Sequence, residues 1–200
     1  MVDRKSENGA VVEAMAKGFH LVAMVRYQGI SAAGDWILPS APEAVWVDKE
    51  VSESDPNLDA FHQTNLASLV RDRGIERVMI AGLTTEGAVR ATVLGSVREG
   101  FETWLVVDAI AEDPATAAEV DRALLEMRTA GVAFGTAGQL ATIIKHQPHP
   151  TALVVLRLQK EHLPDGSRPI PKVREIANLT GQLIEFGCRQ IHRSPEEILA

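Results

Sequence analysis

The segment from Arg77 to Ala109 constrains the fold more than any other part of this chain. It opens with the apolar run 78–80, which predicts a buried parallel strand that ends at Gly82. A helix and a second strand at 104–107 follow, so the segment is a strand–turn–helix–strand unit. In open α/β sheets, ligands bind at such a turn, outside the carboxyl ends of the strands. The segment therefore predicts a parallel α/β sheet with a site near this turn.

The helix inside this segment carries its own start and stop signals. Thr84 and Thr85 are residue types that cap helix N-termini through their side-chain oxygens, and Gly100 is typical of a helix end. The apolar positions at helical spacing, which we expect to face the core, are Val89, Leu94 and Val97.

The remaining chain alternates strand and helix patterns, which predicts a sheet covered on both faces. Further strands are predicted at 20–27, 44–47, 132–134 and 152–159. Further helices are predicted at 8–18, from Leu66 through Leu69 and Val70 to Gly74, from Asp113-Pro114 through Val120, Leu124 and Met127 to Gly131, at 139–145 and at 173–186. The fold class is a three-layer α/β/α domain with a mainly parallel, doubly wound sheet of about six strands, over residues 1–200.

Composition limits the classes of function. The formal net charge of −7 and the pI near 5.4 argue against nucleic-acid binding. No apolar run reaches membrane-spanning length, and the first residues lack the apolar core of a signal peptide. Cys188 is the only cysteine, so no intrachain disulfide can form, and we expect a reducing, cytoplasmic setting with no membrane partner.

A spaced set of residues resembles the signature of a known family. The residues that match this signature, called the family frame below, are Gly82, Thr85, Val89, Thr92, Gly100, Asp108 and Ala109. The frame is similar to that of the isochorismatase-like cysteine hydrolases, which include nicotinamidases, N-carbamoylsarcosine amidases and isochorismatases. The nucleophilic cysteine of those enzymes falls on Ala88, so the frame is present without its central chemical group.

The resemblance implies a hydrolase site for a small amide or enol ether. It matches Lys49 to the catalytic lysine, and it implies a cis peptide between Leu83 and Thr84 within an oxyanion turn that includes the Ala88 amide. Thr85 and Phe61, which lies in the family-like stretch AFHQT, would line the substrate pocket. The alternative for Lys49 is the commoner one of a solvated lysine at a strand end.

No metal or cofactor is expected. Asp35-Trp36 resembles the metal-binding loop of nicotinamidases, but Ile37 stands where the first metal-binding histidine would be. The histidines at 146, 149 and 162 lack metal-ligand spacing, and Cys188 fits a buried packing residue.

The C-terminal segment 151–200 resembles the beginning of the family, whereas residues 1–145 contain no counterpart of its first, central strand. Because an empty central position would leave backbone donors and acceptors unpaired, we expect 152–159 to fill it. The segment can do so as a circular permutation or as a swap between copies, and the alternative is an added unit at a sheet edge. Segments 20–27 and 189–192 compete for the second-strand role.

Aligned on Gln159, the family's catalytic aspartate falls on Arg157. Arg157 either turns inward, where with Lys49 it would bind an anion, or pairs outward with Glu161. A shifted register would instead let Glu161 or Asp165 supply the carboxylate. Two functions follow: a hydrolase, or a non-catalytic relative that binds a small anion or serves as a structural subunit. The resemblance also implies a homo-oligomer.

Overall fold

The computed structural model describes residues 19–28, 44–146, 149–167 and 169–191, which form a sheet of six parallel strands. The strands are β1 (Phe19–Gln28), β2 (Val45–Glu50), β3 (Arg77–Leu83), β4 (Glu102–Ala111), β5 (Ala133–Gly135) and β6 (Thr151–Leu156). Their order across the sheet is β2-β1-β6-β3-β4-β5, and every neighbouring pair is parallel.

Helices cover both faces of the sheet. The α-helices are α1 (Leu66–Arg71), α2 (Arg90–Arg98), α3 (Val120–Thr129), α4 (Ala137–His146) and α5 (Val173–Ile191). Val70, Val93 and Met127 from the first three pack on one face, while Leu140 and Ile176 from the last two pack on the other. The three-layer α/β/α architecture predicted from the sequence is confirmed.

The C-terminal strand β6 lies at the centre of the sheet, between β1 and β3. Each of its six residues is buried, as expected for a parallel strand that is covered on both faces. The prediction of a central strand from Ala152 is therefore confirmed, and an added unit at the sheet edge is excluded. The origin of this order, by permutation or by exchange between copies, stays a prediction.

The competition for the second-strand role is decided in favour of the earlier segment. Residues 20–27 lie in β1, which pairs with β6, whereas Arg189 to Ile191 lie in the helix α5. His192 and the predicted helix at 8–18 lie outside the described residues, as does the loop with Asp35, Trp36 and Ile37.

Gly82 lets β3 and β6 approach each other closely at the ends of the strands. Its φ is 121°, and a Cβ atom there would lie 2.0 Å from the carbonyl oxygen of Leu156. Any other residue would collide with backbone, which cannot move aside as a side chain can. This close approach fixes the start of the turn after β3 against the end of β6.

The predicted apolar faces of α2 and α3 pack against the core, although several of their residues are only partly buried. In α2 the fully buried residues are Thr92, Val93, Gly95 and Ser96, while Leu94 and Val97 are partly buried. In α3 Ala123 and Met127 are buried, and Val120 and Leu124 are half-buried. The most buried stripe of α2 is offset from its apolar residues because the carboxylate of Asp59 occupies the space beside Gly95.

Candidate functional site

Three sequence-predicted residues lie at the same edge of the sheet. Arg157 directly follows β6, Ala88 lies in the turn after β3, and Lys49 is the penultimate residue of β2. Because all strands are parallel, their carboxyl ends meet at this edge. The Gly82–Leu156 register places Arg157 beside Leu83, whereas β1 separates β2 from β6.

The turn after β3 has an unusual backbone. The Leu83–Thr84 peptide is cis, as the resemblance implied, and a kinked turn over Thr85–Val89 follows, in which Gly87 has non-helical backbone angles (φ −100°, ψ −107°). The carbonyl oxygen of Thr84 accepts hydrogen bonds from the amides of Gly87 (3.1 Å) and Val89 (3.0 Å). The prediction of side-chain capping was wrong for Thr84, whose hydroxyl makes no cap hydrogen bond because it turns towards Gly87.

Ala88 is fully buried at the start of the helix that leads into α2. Its methyl group is neither a nucleophile nor a proton donor, so a covalent acyl intermediate cannot form at this position. One helical turn later, the Thr92 hydroxyl accepts a hydrogen bond from the Ala60 amide (3.0 Å) and lies 3.4 Å from the Tyr27 hydroxyl. Thr92 therefore joins α2 to β1 and to the loop after β2.

Arg157 is a buried cation at the end of the central strand. Its side chain is 10% exposed, and its φ of 52° is uncommon for a residue with a side chain. Its Nη2 lies 3.7 Å from Glu161 Oε1, so the ion pair considered from the sequence is present. Burial raises the pKa of the Tyr27 hydroxyl well above its usual range, and the Arg157 charge opposes that rise. The positive charge of Arg157 therefore influences the Tyr27 hydroxyl, which lies against α2.

Glu161 belongs to a compact group of charged side chains beyond β6. Its Oε1 also lies 3.2 Å from Nε2 of His162, which is 2% exposed, while Glu161 itself is 12% exposed. A carboxylate is thus present beside Arg157, as one sequence alternative required, although it comes from the 3₁₀ turn Lys160–His162 and not from the strand.

Lys49 is almost completely buried, at 1% exposure, and is not a solvated strand-end lysine. Its Nζ donates a hydrogen bond to the main-chain oxygen of His62 (3.0 Å). Lys49 and Tyr27 are directly opposite each other in the β1–β2 register, so the two residues lie at the same height along the strands. The ammonium group is therefore held against the main chain of the loop after β2.

Phe61 lies on the loop that accepts the Lys49 hydrogen bond, but its ring packs against Phe101 at a centroid distance of 5.8 Å. Phe101 precedes β4 and therefore lies towards the opposite edge of the sheet. A contact between Phe61 and substrate stays a prediction.

Asp59 is a buried charged residue that the sequence did not single out, three residues before the loop carbonyl that binds Lys49. Its carboxylate is buried against α2 and accepts hydrogen bonds from the Phe61 amide (2.8 Å) and from Arg98 Nη2 (2.9 Å). Burial raises the pKa of Asp59 above its usual range, against the lowering effect of these two donors. The sequence signal for this contact is Gly95, a glycine inside the predicted helix, because such glycines often mark close packing.

The Asp108-Ala109 pair of the family frame has a structural role in this chain. Asp108 Oδ1 accepts a hydrogen bond from the Ala137 amide (2.7 Å), which is the first amide of α4. A carboxylate at a helix N-terminus accepts a hydrogen bond from a backbone N–H group and interacts favourably with the helix dipole. Asp108 therefore ties β4 to α4.

Across the described residues, no three His, Cys, Asp or Glu side chains are grouped so that they could hold a metal ion. In the same part of the chain, every helix is too short or too polar to cross a membrane.

A family model described as the isochorismatase domain matches residues 11–139, which is more than half of the chain. The chain belongs to the isochorismatase family. A curated relative of this family protein is maleamate amidohydrolase of Pseudomonas putida, with 29% identity over 89 residues. That match covers 44% of this chain and 38% of the relative, so the chain spans less than half the length of that protein.

Solved structures share the fold of this isochorismatase-family chain. Pyrazinamidase of Pyrococcus horikoshii, solved in complex with zinc, has 24% identity and a TM-score of 0.53 over 66% of this chain and 83% of that chain. PnC1 from L. infantum, in complex with nicotinate, has 17% identity and a TM-score of 0.52 over 72% and 83%. An isochorismatase-like hydrolase from Alkaliphilus metalliredigens has 16% identity and a TM-score of 0.52 over 66% and 82%.

Proposed function

We propose that this isochorismatase-family protein binds a small carboxylate at the family's site and does not hydrolyse amides through a covalent thiol intermediate. The observation that carries the proposal is the burial of Arg157 beside the turn that contains Ala88. The sequence resemblance aligns this arginine with the family's aspartate. A guanidinium does not act as a base near neutral pH, whereas it is well suited to pairing with a carboxylate.

The surrounding charges support an anionic ligand. Lys49 adds a second buried cation at the same sheet edge, and the turn adds backbone amides at the start of a helix. Backbone amides at a helix start and fixed cations together favour anions. Glu161 partly balances Arg157, so an incoming carboxylate would compete with Glu161 for the guanidinium.

Names of similar proteins suggest the ligand class. Maleamate amidohydrolase and pyrazinamidase are named for small amides, whose hydrolysis yields carboxylates, and PnC1 was solved with nicotinate. A site with the same fold, two cations and no nucleophile would retain product-like carboxylates and discriminate against neutral amides. Nicotinate and nicotinamide differ in little besides this charge, so they form a matched probe pair.

A second candidate function is hydrolysis with Glu161 as the general base. The observation that favours it is the short distance from Glu161 to both Arg157 and His162, which places an almost buried carboxylate at this edge. Water, rather than a thiolate, would then attack the substrate. A hydrolysis product from nicotinamide or maleamate that disappears in Glu161→Gln would favour this candidate over the first.

Replacing either cation should weaken nicotinate binding. For Lys49→Gln and Arg157→Asn we expect the Kd from calorimetry to rise about tenfold each, since a hydrogen bond to a charged group contributes roughly 1.5–3 kcal/mol. Asn is chosen because it tolerates the left-handed backbone found at Arg157. Arg174→Gln, on an arginine that is 66% exposed, is the matched control and should change the Kd less than twofold. Equal affinities for all four proteins would refute binding at this site.

A further inference from the structure

Hydrogen bonds to α2, to β1 and within the loop itself hold the loop between β2 and α1 in place. The Ala60 amide donates to the Thr92 hydroxyl (3.0 Å), and the Thr64 hydroxyl donates back to the Ala60 carbonyl (2.6 Å). The Tyr27 hydroxyl donates to the Leu58 carbonyl (2.8 Å). The loop thus has a fixed position between the end of β1 and the helix that follows the Ala88 turn.

The carboxylate of Asp59 makes a buried contact between this loop and α2. Its side chain is 6% exposed, whereas that of its ion-pair partner Arg98 is 63% exposed. A Cβ atom on Gly95 would lie 2.2 Å from Asp59 Oδ1 and 2.3 Å from Oδ2. The carboxylate therefore occupies a space on α2 that exists only because residue 95 has no side chain.

A series of hydrogen bonds along the loop connects Asp59 to Lys49. Asp59 Oδ1 accepts from the Phe61 amide, and the Asp59 main-chain oxygen accepts from the His62 amide (3.1 Å). The carbonyl of His62 in turn accepts the hydrogen bond from Lys49 Nζ. The acceptor that holds the ammonium is thus three residues from the carboxylate, and Asp59 itself accepts the hydrogen bonds of two of the three amides up to it, those of Phe61 and His62.

We propose that Asp59 is a positioning residue for Lys49, acting through the His62 carbonyl without touching the ligand. The inference rests on the proposed function, because it assigns Lys49 to carboxylate binding. With Asp59 docked on Gly95, the His62 carbonyl faces the lysine and orients its remaining N–H donors. Loss of the docking releases the loop, so the ammonium group samples positions that do not bind the ligand.

The required property of residue 59 is its acceptor oxygen and not its charge. Oδ1 accepts the Phe61 amide inside the loop, whereas the ion pair of Oδ2 goes to Arg98, whose side chain is 63% exposed and therefore screened by solvent. Asp59→Asn keeps the Oδ1 acceptor for the Phe61 amide, whereas Asp59→Ala removes it. Gly95→Ala keeps the aspartate but fills its space. The three variants therefore separate docking from charge.

The test measures the Lys49 side chain directly, by NMR of the ¹³Cε resonances of ¹³C-labelled lysine in the full chain, assigned with Lys49→Gln. Calorimetry with nicotinate is run on the same samples. We expect Asp59→Ala and Gly95→Ala to shift or broaden the Lys49 signal and raise the Kd about tenfold, as expected when a charged hydrogen bond is misplaced. We expect Asp59→Asn to stay within twofold of the native Kd with an unshifted signal.

Two matched controls carry the same types of substitution at positions away from the contact between Asp59 and Gly95. Asp121→Ala removes an exposed aspartate from α3, and Gly138→Ala adds a methyl where no atom lies within 4 Å. Both should leave the Lys49 signal unchanged. An unshifted Lys49 signal in folded Asp59→Ala and Gly95→Ala would overturn the proposal, as would equal impairment by Asp59→Asn. If native protein does not bind nicotinate, the proposed function fails, and the NMR signal without ligand still tests the positioning.

Discussion

The double variant Ala88→Cys, Arg157→Asp is expected to hydrolyse nicotinamide or maleamate, and the native chain is expected to give no product. The two substitutions restore the thiol and the carboxylate that the family resemblance assigns to these positions. Under the resemblance, Lys49 and the turn after β3 would stabilise the developing negative charge. Because nucleophile and base act as a unit, we expect a rate roughly 100-fold or more above that of the native chain.

The single variants are the controls for this gain of activity. Ala88→Cys has a nucleophile without its base, and Arg157→Asp has a base without a nucleophile, so both should remain near background. The Arg157→Asp change should be tolerated, since aspartate adopts the left-handed backbone at this position more readily than arginine. A folded double variant that is inactive on both amides would show that Lys49 and the turn are not arranged for catalysis.

The variant Val154→Asp is expected to abolish cooperative folding at 25 °C. Val154 is fully buried in β6, paired with Ala23 of β1 and with Ile80 of β3. An unpaired carboxylate in this position costs several kcal/mol or shifts its pKa strongly, out of a total stability of about 5–15 kcal/mol. Because β6 joins β2-β1 to β3-β4-β5, its loss separates the sheet into two parts.

Val107→Asp is the matched control, since Val107 lies in β4 but is 37% exposed. Its urea midpoint should stay close to that of the native chain. Circular dichroism and urea unfolding measure both variants. A cooperative transition for Val154→Asp with a native-like midpoint would contradict the central placement of the C-terminal strand.

Much of the fold could be predicted from local sequence signals. The apolar run and Gly82 identified β3, and the family frame identified the cis peptide before Thr84. The central place of β6 followed from a physical requirement, because a parallel sheet without its middle strand leaves backbone groups unpaired. Such signals work when a few neighbouring residues decide the structure.

Contacts between distant segments could not be predicted in the same way. The docking of Asp59 on Gly95 joins residues that local periodicity treats as unrelated, and it turns the small side of α2 inward. The ion pair of Arg157 was one of two alternatives, because a left-handed residue after a strand changes the side-chain direction. The kinked turn over Thr85–Val89 lacks the expected Thr84 cap for a similar reason: the chain enters this turn from Gly82, which packs directly against Leu156 of β6.

The most direct test of the account is calorimetric titration of the native chain with nicotinate and with nicotinamide, followed by chromatography of each sample for hydrolysis product. We predict saturable binding of nicotinate, an affinity for nicotinamide weaker by roughly tenfold for the loss of the charged contacts, and no product. Turnover of nicotinamide by the native chain, or equal affinity for the acid and the amide, would contradict a carboxylate-binding site built on Lys49 and Arg157.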